Sequence, residues 1–525
     1  MRDFQLPGRS ALYASNGLCA TSHPLAAQTA IDILKQGGNA MDAAIAGAVL
    51  LGFCEPQSTG LGGDCFALFT DPGGGNIRAF NGSGRAPAAA DPDALRAQGH
   101  DIVPEYDAAA ITIPGAVEGF CRLAADHGRL GLEAILAPSI RYAEEGVPVA
   151  PRVAFDWQAA RDVPRGHGKT HYLSGGAPLP VGAIFRSPGQ AELLRRVARD
   201  GADAFYTGEI AEDMLSTLTA LGGVHTADDF ASHRGNYTDA ISGTYGGKDL
   251  LEHPPNGQGA TAILMLNILK HFDLSGLDPL GPERTHLEAE AAKLAYDARN
   301  RLIADPDHTT RIAHMLAPET AAKLAALIRP DAVIADPVPL TESVHRDTVY
   351  ITVVDRDRMA VSMIYSIFHS FGSGYASEKF SVLFQNRGAG FCLSPGHPNE
   401  LGGGKRPMHT IIPAMLAENG QATTSFGVMG GAYQPCGHAR YVSNRLDYGM
   451  EAQTALDAPR AFAEEGVLKL ERGYSEATRA ALSDLGHKVV TPDAPIGGAQ
   501  AITILPDGVL EGASDPRKDG CALGY

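Results

Sequence analysis

Hydrophobic and polar positions are arranged differently in the two parts of the chain. In the first part the apolar spacing predicts mainly helices with a few strands. Pro24–Gly37 carries one apolar stripe, whereas Ala40–Phe53 is apolar on nearly every face and is therefore predicted to be buried. Thr226 is predicted to cap a short helix. Further helices are predicted over Val117–His127, Leu132–Gly146, Pro188–Asp200, Ala260–His271 and His286–Leu302.

The part after Thr348 is dominated by strand-like runs. Before it, residues 323–347 contain three prolines and few periodic positions, which predicts an exposed, flexible connection suited to cleavage. Strands alternating with outer helices predict a layered α/β sandwich. The predicted strands are Thr348–Val354, Ala360–Ile367, Phe380–Gln385, Ile411–Glu418, Thr423–Val428, Leu468–Leu470 and Ala501–Leu505, and the helices are Cys436–Gly449 and Ser475–Leu485.

Composition and charge exclude several function classes. The 525 residues are 44% hydrophobic, and 43 basic against 60 acidic residues give a formal charge of −17. Because no basic run is present, nucleic acid is excluded as a partner. Seven cysteines without a CxxC pair predict reduced thiols. No signal-peptide core or membrane-length apolar stretch is found, so we expect a cytoplasmic protein without a membrane partner.

The richest chemistry lies around Thr348, which begins a strand deep inside the chain. A charged turn, Asp355–Arg358, predicts a hairpin that places Thr348 opposite Tyr365 or Ser366. Cleavage of the Asp347–Thr348 bond would give Thr348 a free amine beside its hydroxyl. That pair forms a nucleophile with its own base. The alternative is a β-branched residue that simply starts a strand.

A second candidate is the glycine pair Gly430-Gly431, which joins a predicted strand to a predicted helix. Adjacent glycines let backbone N–H groups approach a ligand, and a helix N-terminus favours an anion. This arrangement is typical of an oxyanion hole. A packing turn that requires positive φ explains the same residues equally simply.

Other motifs do not indicate a cofactor. Gly402–Gly404 precede Lys405 and Arg406, but the Walker spacing is missing, so this loop is interpreted as a pocket edge presenting His409 and Thr410. The histidines show no zinc-binding spacing. No Gly-x-Ser-x-Gly elbow is present. The sequence therefore predicts neither a cofactor nor a metal.

Over nearly its whole length the chain resembles the γ-glutamyltransferase (glutathione hydrolase) family of N-terminal-nucleophile hydrolases. The family's nucleophile signature is matched from Thr348 to Asp355, and its glycine turn by Gly430-Gly431. Further matching stretches, in the family's order, are Gly37–Ala44, Gly60–Asp64, Pro114–Gly119, Pro254–Gly259 and Pro435–His438.

The resemblance implies a precursor that cleaves itself before Thr348. The products would be a helix-rich large chain, 1–347, and a strand-rich small chain, 348–525, which stay associated as one pair or as a dimer of pairs. It also implies a four-layer αββα sandwich and an acyl-enzyme on Thr348, with the freed α-amine as base. Ser366 stands where the family usually has a second threonine, and Gly430 and Gly431 would bind the oxyanion.

Departures from the family concern the substrate. The usual substrate-gripping arginine is absent, and the nearest one, Arg85, is displaced by two positions. Phe368 replaces an asparagine. The acidic segment that holds an α-amino group is replaced by Asn386–Phe391, which brings Arg387, and the family's serine pair reads His409-Thr410. We therefore expect a small amide that bears a carboxylate but no α-amino group, similar to the substrate of the oxamate amidohydrolase branch.

Alternatives remain at this stage. Arg387 could be a surface or supporting residue rather than a carboxylate anchor. The chain could be a glutathione hydrolase or γ-glutamyltransferase, or an acylase acting on acylated amines. A catalytically silent binding protein is opposed by the joint presence of Thr348, Ser366 and the Gly430-Gly431 pair.

Overall fold

The computed structural model describes residue 5, residues 8–334 and residues 348–525. Asp347 and the stretch 335–347 of the predicted connection lie outside the described residues. The strands are β1 (Leu12–Ala14), β2 (Leu18–Thr21), β3 (Asp64–Phe69), β4 (Arg78–Gly82), β5 (Val147–Pro148), β6 (Ile184–Phe185), β7 (Asn236–Asp239), β8 (Ile241–Tyr245), β9 (Lys248–Glu252), β10 (Val349–Val354), β11 (Ala360–Ser366), β12 (Ala414–Glu418), β13 (Gln421–Met429), β14 (Ala461–Glu464), β15 (Val467–Leu470), β16 (Val489–Val490), β17 (Gly498–Ile504), β18 (Leu510–Ser514) and β19 (Cys521–Gly524).

The helices surround these strands. They are α1 (Pro24–Lys35), α2 (Ala40–Cys54), α3 (Pro92–Ala97), α4 (Ala116–His127), α5 (Leu132–Glu145), α6 (Pro151–Ala159), α7 (His167–Tyr172), α8 (Pro188–Asp200), α9 (Asp203–Tyr206), α10 (Gly208–Ala220), α11 (Ala227–Ala231), α12 (Gly259–Leu269), α13 (Pro282–Leu302), α14 (Ile312–Met315), α15 (Pro318–Ala325), α16 (Gln434–Leu446), α17 (Ala452–Asp457) and α18 (Glu476–Asp484). Short 3₁₀ turns span Ala108–Ala110, Pro306–His308, Arg387–Gly390 and Gly431–Tyr433.

Two seven-stranded antiparallel sheets form the centre. One has the order β1-β18-β17-β13-β12-β9-β8, and the other β19-β2-β10-β11-β3-β4-β7. They pack face to face through β10, β11 and β13, while α1 and α2 cover one outer face and α12 and α16 the other. The predicted αββα sandwich is therefore confirmed. Each sheet contains strands from both sides of residue 348, so neither is complete without both parts of the chain.

The buried helix α2 shows why its sequence folds as it does. Asn39 Oδ1 accepts the N–H groups of Met41 and Asp42, and Asp42 Oδ2 accepts the N–H of Asn39. Such a capping box stabilises a helix start by about 1 kcal/mol. Every residue of the helix is buried, as the apolar pattern predicted. A Cβ on Gly47 would lie 2.4 Å from Ile351 Cδ1, so glycine permits the close contact with β10.

The structure corrects two predictions. Phe380–Gln385 is not a strand, because its backbone makes only isolated bridges, and Ser381 has φ 57°. The Ser381 carbonyl instead accepts hydrogen bonds from Tyr172 and Gln190. The predicted connection also begins later than expected, since α15 continues to Ala325.

The predicted helices of the first part are present with ends shifted by a few residues. All seven cysteine thiols are free. Within the described part of the chain, none of the helices combines the length and the apolar character that crossing a bilayer requires.

Candidate active site at the start of strand β10

Thr348 directly precedes β10 and faces Ser366, the last residue of β11. Val349 pairs with Tyr365, so the hairpin register extends to Thr348 and Ser366 as the sequence predicted. The two hydroxyl oxygens lie 3.4 Å apart, and only 1% of Thr348 is exposed. A hydroxyl held against a second hydroxyl has a defined orientation, which a nucleophile requires.

Arg387 lies on the other side of Ser366 and is fully buried. Its Nη2 donates to Ser366 Oγ at 3.2 Å, and its Nη1 donates to Thr410 Oγ1 at 3.0 Å. The guanidinium also stacks on the ring of Phe368 at 4.1 Å. The N–H of Phe368 donates to Ser366 Oγ at 2.9 Å. A fixed positive charge therefore stands one side chain away from Thr348, in a site shielded from water.

The glycine pair lies where β13 ends. Gly430 has φ 120° and Gly431 has φ 55°, values that a residue with a Cβ rarely adopts. A Cβ on Gly430 would also approach Gly497 Cα to 2.9 Å. The backbone conformation therefore favours glycine at both positions, and lack of space favours it at Gly430 as well.

The facing strands β10 and β13 bring this turn to Thr348. Thr352 Oγ1 donates to Ser425 Oγ at 2.7 Å. Two residues earlier on β10 and two residues later on β13, the Tyr350 ring covers Gly427. The same step of two residues along each strand places Thr348 at the level of Met429, which immediately precedes the glycine pair.

Gln258 connects the two parts of the site and was not among the predicted site residues. Its Nε2 donates to the carbonyls of Thr410 at 2.7 Å and Gly431 at 3.1 Å. Arg299 Nη1 donates to Gln258 Oε1 at 2.8 Å and fixes the amide. Hydrogen-bonded residues thus connect Thr348 to Gly431, with Thr410 bonded through its hydroxyl on one side and its carbonyl on the other. The only sequence signal was the position of Gln258 in the family-like stretch Pro254–Gly259.

A second buried pair supports the glycine turn. His438 Nε2 accepts the Val428 N–H at 3.2 Å, so its Nδ1 carries the hydrogen and donates to Glu252 Oε1 at 2.7 Å. Both side chains are fully buried. Val428 is the second-last residue of β13, just before the glycines, so His438 and Glu252 hold the end of this strand in place.

His409 and Thr410 are both buried, like Thr348 and Arg387, and their role in substrate binding stays a prediction. His409 Nε2 lies 3.1 Å from Asp64 Oδ2, and Nδ1 accepts the Ile411 N–H at 3.4 Å. Burial and the nearby Arg387 charge hold the pKa of His409 well below its ordinary value. Burial raises the pKa of Asp64, against the opposing effect of Arg387. Gly402–Gly404, which precede these residues, remain partly exposed, so the chain turns inward between Lys405 and His409.

Two other predicted residues occupy the margins. Arg85 Nη1 donates to the Gly404 carbonyl at 3.0 Å and lies 3.5 Å from Asp305, with 40% of its side chain exposed. Neither Gly404 nor Asp305 belongs to the Thr348 network. Asn386 Oδ1 accepts the His369 N–H at 3.2 Å, and its Nδ2 donates to the Glu105 carbonyl. Asn386 therefore shapes the loop before Arg387.

A cavity of about 500 Å³ lies next to the site, although neither Thr348 nor the glycine pair is among its lining residues. It reaches His369 on one side and Gly497, the neighbour of Gly430, on the other. Its wall combines an apolar surface with paired charges. The apolar lining includes Phe155, Ala160, Val163, Pro492 and Pro495, and the charged lining includes Arg152, Asp156, Glu464, Lys469 and Lys518.

Comparison with known proteins places this geometry in a family. The family model described as gamma-glutamyltranspeptidase matches residues 26–525. The chain belongs to this family. The oxamate amidohydrolase proenzyme of Klebsiella pneumoniae is 36% identical and covers 98% of this chain and 99% of its own length. The glutathione hydrolase-like YwrD proenzyme of Bacillus subtilis is 34% identical, with coverages of 97% and 98%.

Among solved structures, cephalosporin acylase from Bacillus halodurans is similar over the whole fold. It has 38% sequence identity and a TM-score of 0.92, and covers 100% of this chain and 99% of its own. The prediction of an enzyme of the gamma-glutamyltranspeptidase family with an N-terminal-nucleophile hydrolase fold is confirmed. Members of this family act on amide bonds as hydrolases or transferases.

Proposed function

We propose that the chain is a self-cleaving amidohydrolase in which Thr348 becomes the N-terminus of a small chain, 348–525. The observation that carries the proposal is the buried contact of Thr348 with Ser366 at the start of β10. Similarity to relatives named proenzymes supports it. Since both sheets mix strands from before and after residue 348, the large chain, 1–347, remains bound after cleavage.

The mechanism follows from the groups around Thr348. The free α-amine, with an ordinary pKa of about 8, takes the hydroxyl proton while Oγ1 attacks the amide carbon. The N–H groups of Gly430 and Gly431 stabilise the oxyanion, an effect typically worth about 10²–10³ in rate for each donor. The C–N bond then breaks, and the α-ammonium returns its proton to the leaving amine. Water hydrolyses the resulting ester and releases the acid.

We assign the substrate to amides that carry a carboxylate on the acyl side. The buried Arg387 charge, next to Ser366, suits a carboxylate. No acid stands in the segment Asn386–Phe391, so an α-amino group has no partner there. Similarity to the oxamate amidohydrolase proenzyme supports this assignment, while relatives named glutathione hydrolase keep γ-glutamyl amides as the alternative.

A second candidate substrate is an amide with a bulky, mostly apolar amine. The cavity of about 500 Å³ beside Gly497 and His369 favours it, because oxamate itself would leave most of that space empty. Similarity to the cephalosporin acylase of Bacillus halodurans and to relatives named acylase points the same way. Both candidates share the chemistry at Thr348.

One experiment tests processing and another tests the substrate. Denaturing electrophoresis should show pieces of about 36 and 19 kDa, scaled from the 55.0 kDa total, and N-terminal sequencing should begin at Thr348. Turnover should then be compared for oxamate, its N-phenyl derivative oxanilate, glutathione and a γ-glutamyl anilide. Faster turnover of oxanilate than of oxamate favours the second candidate. Rapid glutathione hydrolysis without oxamate or oxanilate turnover contradicts both assignments.

A further inference from the structure

Two histidines and a glutamate form a second cluster that shares helix α13 with Arg299 but contains none of the residues of the Thr348 network. His286 and Glu290 are four residues apart on α13, so they share one face of the helix, and His487 follows α18. One ligand atom from each residue lies within 4.8 Å of the others. Their exposures are 1%, 0% and 7%, respectively, so water does not already solvate these groups.

The hydrogen bonds of His286 orient its ring as in a metal ligand. Its Nε2 lies 2.7 Å from the Arg329 carbonyl, which can only accept, so Nε2 carries the hydrogen. Nδ1 therefore accepts the Nε2–H of His487 at 2.8 Å, and His487 binds an ion through Nε2 once its hydrogen moves to Nδ1. A carbonyl that fixes the tautomer of a histidine is the usual outer support of a metal ligand.

A cation already stands beside the carboxylate of the cluster. Lys293 Nζ lies 2.8 Å from Glu290 Oε1, while Glu290 Oε2 accepts the Ile334 N–H at 2.6 Å. Lys293 and His487 both line a cavity of about 150 Å³. This space lets the ammonium withdraw and admits a water as a further ligand. The Glu290 carboxylate thus already binds a positive charge, and a metal ion there would compete with the Lys293 ammonium.

We infer that His286, Glu290 and His487 form a binding site for Zn²⁺ or a similar divalent ion with nitrogen and oxygen preference. Two imidazoles and one carboxylate with an open position suit such ions. Since α13 precedes residue 348 and His487 follows it, the ion would join the two parts of the chain at a place separate from the nucleophile. Its role is structural, and it does not depend on the proposed function.

The test uses the full-length protein stripped with a chelator and then titrated with zinc chloride alone. Calorimetry and elemental analysis after desalting should give one zinc per chain, with a rise in melting temperature. Glu290→Gln and His487→Asn should each weaken binding about tenfold or more. His308→Gln, an exposed histidine outside the cluster, is the matched control and should bind normally.

Lys293→Met gives the sharpest outcome, because removal of the competing ammonium should tighten zinc binding, whereas three residues that only pack together without binding an ion would show no gain. No zinc above the buffer level, or equal zinc in wild type and both ligand variants, overturns the site. If the ligand variants fail to fold, Co²⁺ absorption of the wild type and Lys293→Met decides the matter. The absence of ligand-field bands from both proteins would then overturn it.

Discussion

The two sides of the candidate active site are built by different means. On one side, side chains define the environment, because Thr348, Ser366 and Arg387 contact one another through hydroxyl and guanidinium groups. On the other side, the backbone defines it, because Gly430 and Gly431 have positive φ and no side chain. A substitution on the first side changes charge or proton transfer within the same backbone. A substitution on the second side changes the backbone itself.

Removal of the nucleophile should have the largest effect. Thr348→Ala should remain a single chain and lose about 10⁴-fold or more of amide hydrolysis, because the attacking oxygen is gone. Thr348→Ser is the control, since it keeps a hydroxyl beside the future amine and should still be cut. Mass spectrometry and single-turnover kinetics measure both. A Thr348→Ala protein that is cut and active would refute the assignment.

The glycine side is tested by Gly430→Ala. Its Cβ would lie 2.9 Å from Gly497 Cα at φ 120°, so the turn must shift, and we expect kcat to fall about 100-fold. Gly420→Ala, at the opposite end of β13 with φ 77° and open space around it, carries the same kind of backbone strain. Equal kcat losses in the two variants would mean that strain, not oxyanion geometry, causes the effect.

The two sides also differ in how well the sequence predicted them. The layered sandwich, the hairpin register at Thr348 and the buried α2 followed from local periodicity, which depends on near neighbours in the chain, whereas the four-layer αββα arrangement was implied by the family resemblance. The glycine pair was recognisable because positive φ favours one residue type. By contrast, Gln258 joins the site from 173 residues before Gly431, and local spacing carries no sign of such a contact.

Features that depend on distant contacts were predicted less well. The glycine-rich loop before His409 indicated a pocket edge, and local spacing did not show that His409 is buried against Asp64, a partner 345 residues away in the chain. Phe380–Gln385 has strand-like composition, but hydrogen bonds from Tyr172 and Gln190 hold its backbone in an irregular path. In both places long-range contacts override local preference.

A substitution of Arg387 can distinguish two roles of this residue, binding of the substrate carboxylate by its charge and positioning of Ser366 by its hydrogen bond. Arg387→Met should lower kcat/KM about 10–100-fold for oxamate, because the carboxylate loses a charged donor. A neutral amide of similar size should lose much less. Equal losses for both substrates would instead mean that Arg387 acts only by orienting Ser366. Arg85→Met is the matched control, and we expect less than about a threefold change, because Arg85 contacts Gly404 and Asp305 outside the network.

The smallest effect is expected at His23, at the start of a helix that packs outside both sides of the site. His23 Nδ1 caps α1 by accepting the Leu25 N–H at 3.3 Å, and α1 packs on β2, the neighbour of β10. Burial lowers the pKa of His23 to about 4, below its ordinary value of about 6.5. Between these values the unfolded chain binds a proton that the folded chain does not. The stability that the protein gains by burying a neutral His23 is therefore complete above pH 6.5 and is lost as the pH falls toward 4.

The loss amounts to at most about 1.4 kcal/mol for each pH unit. His23→Asn keeps a capping oxygen without the titrating ring, so its unfolding free energy should depend less steeply on pH in this window. Urea unfolding at several pH values between 4 and 7 measures the difference, with His308→Gln as an exposed control. An unchanged slope in His23→Asn would assign the acid sensitivity to other groups. Because His23 contacts neither side of the site, kcat at pH 7 should stay the same, which separates loss of stability from loss of chemistry.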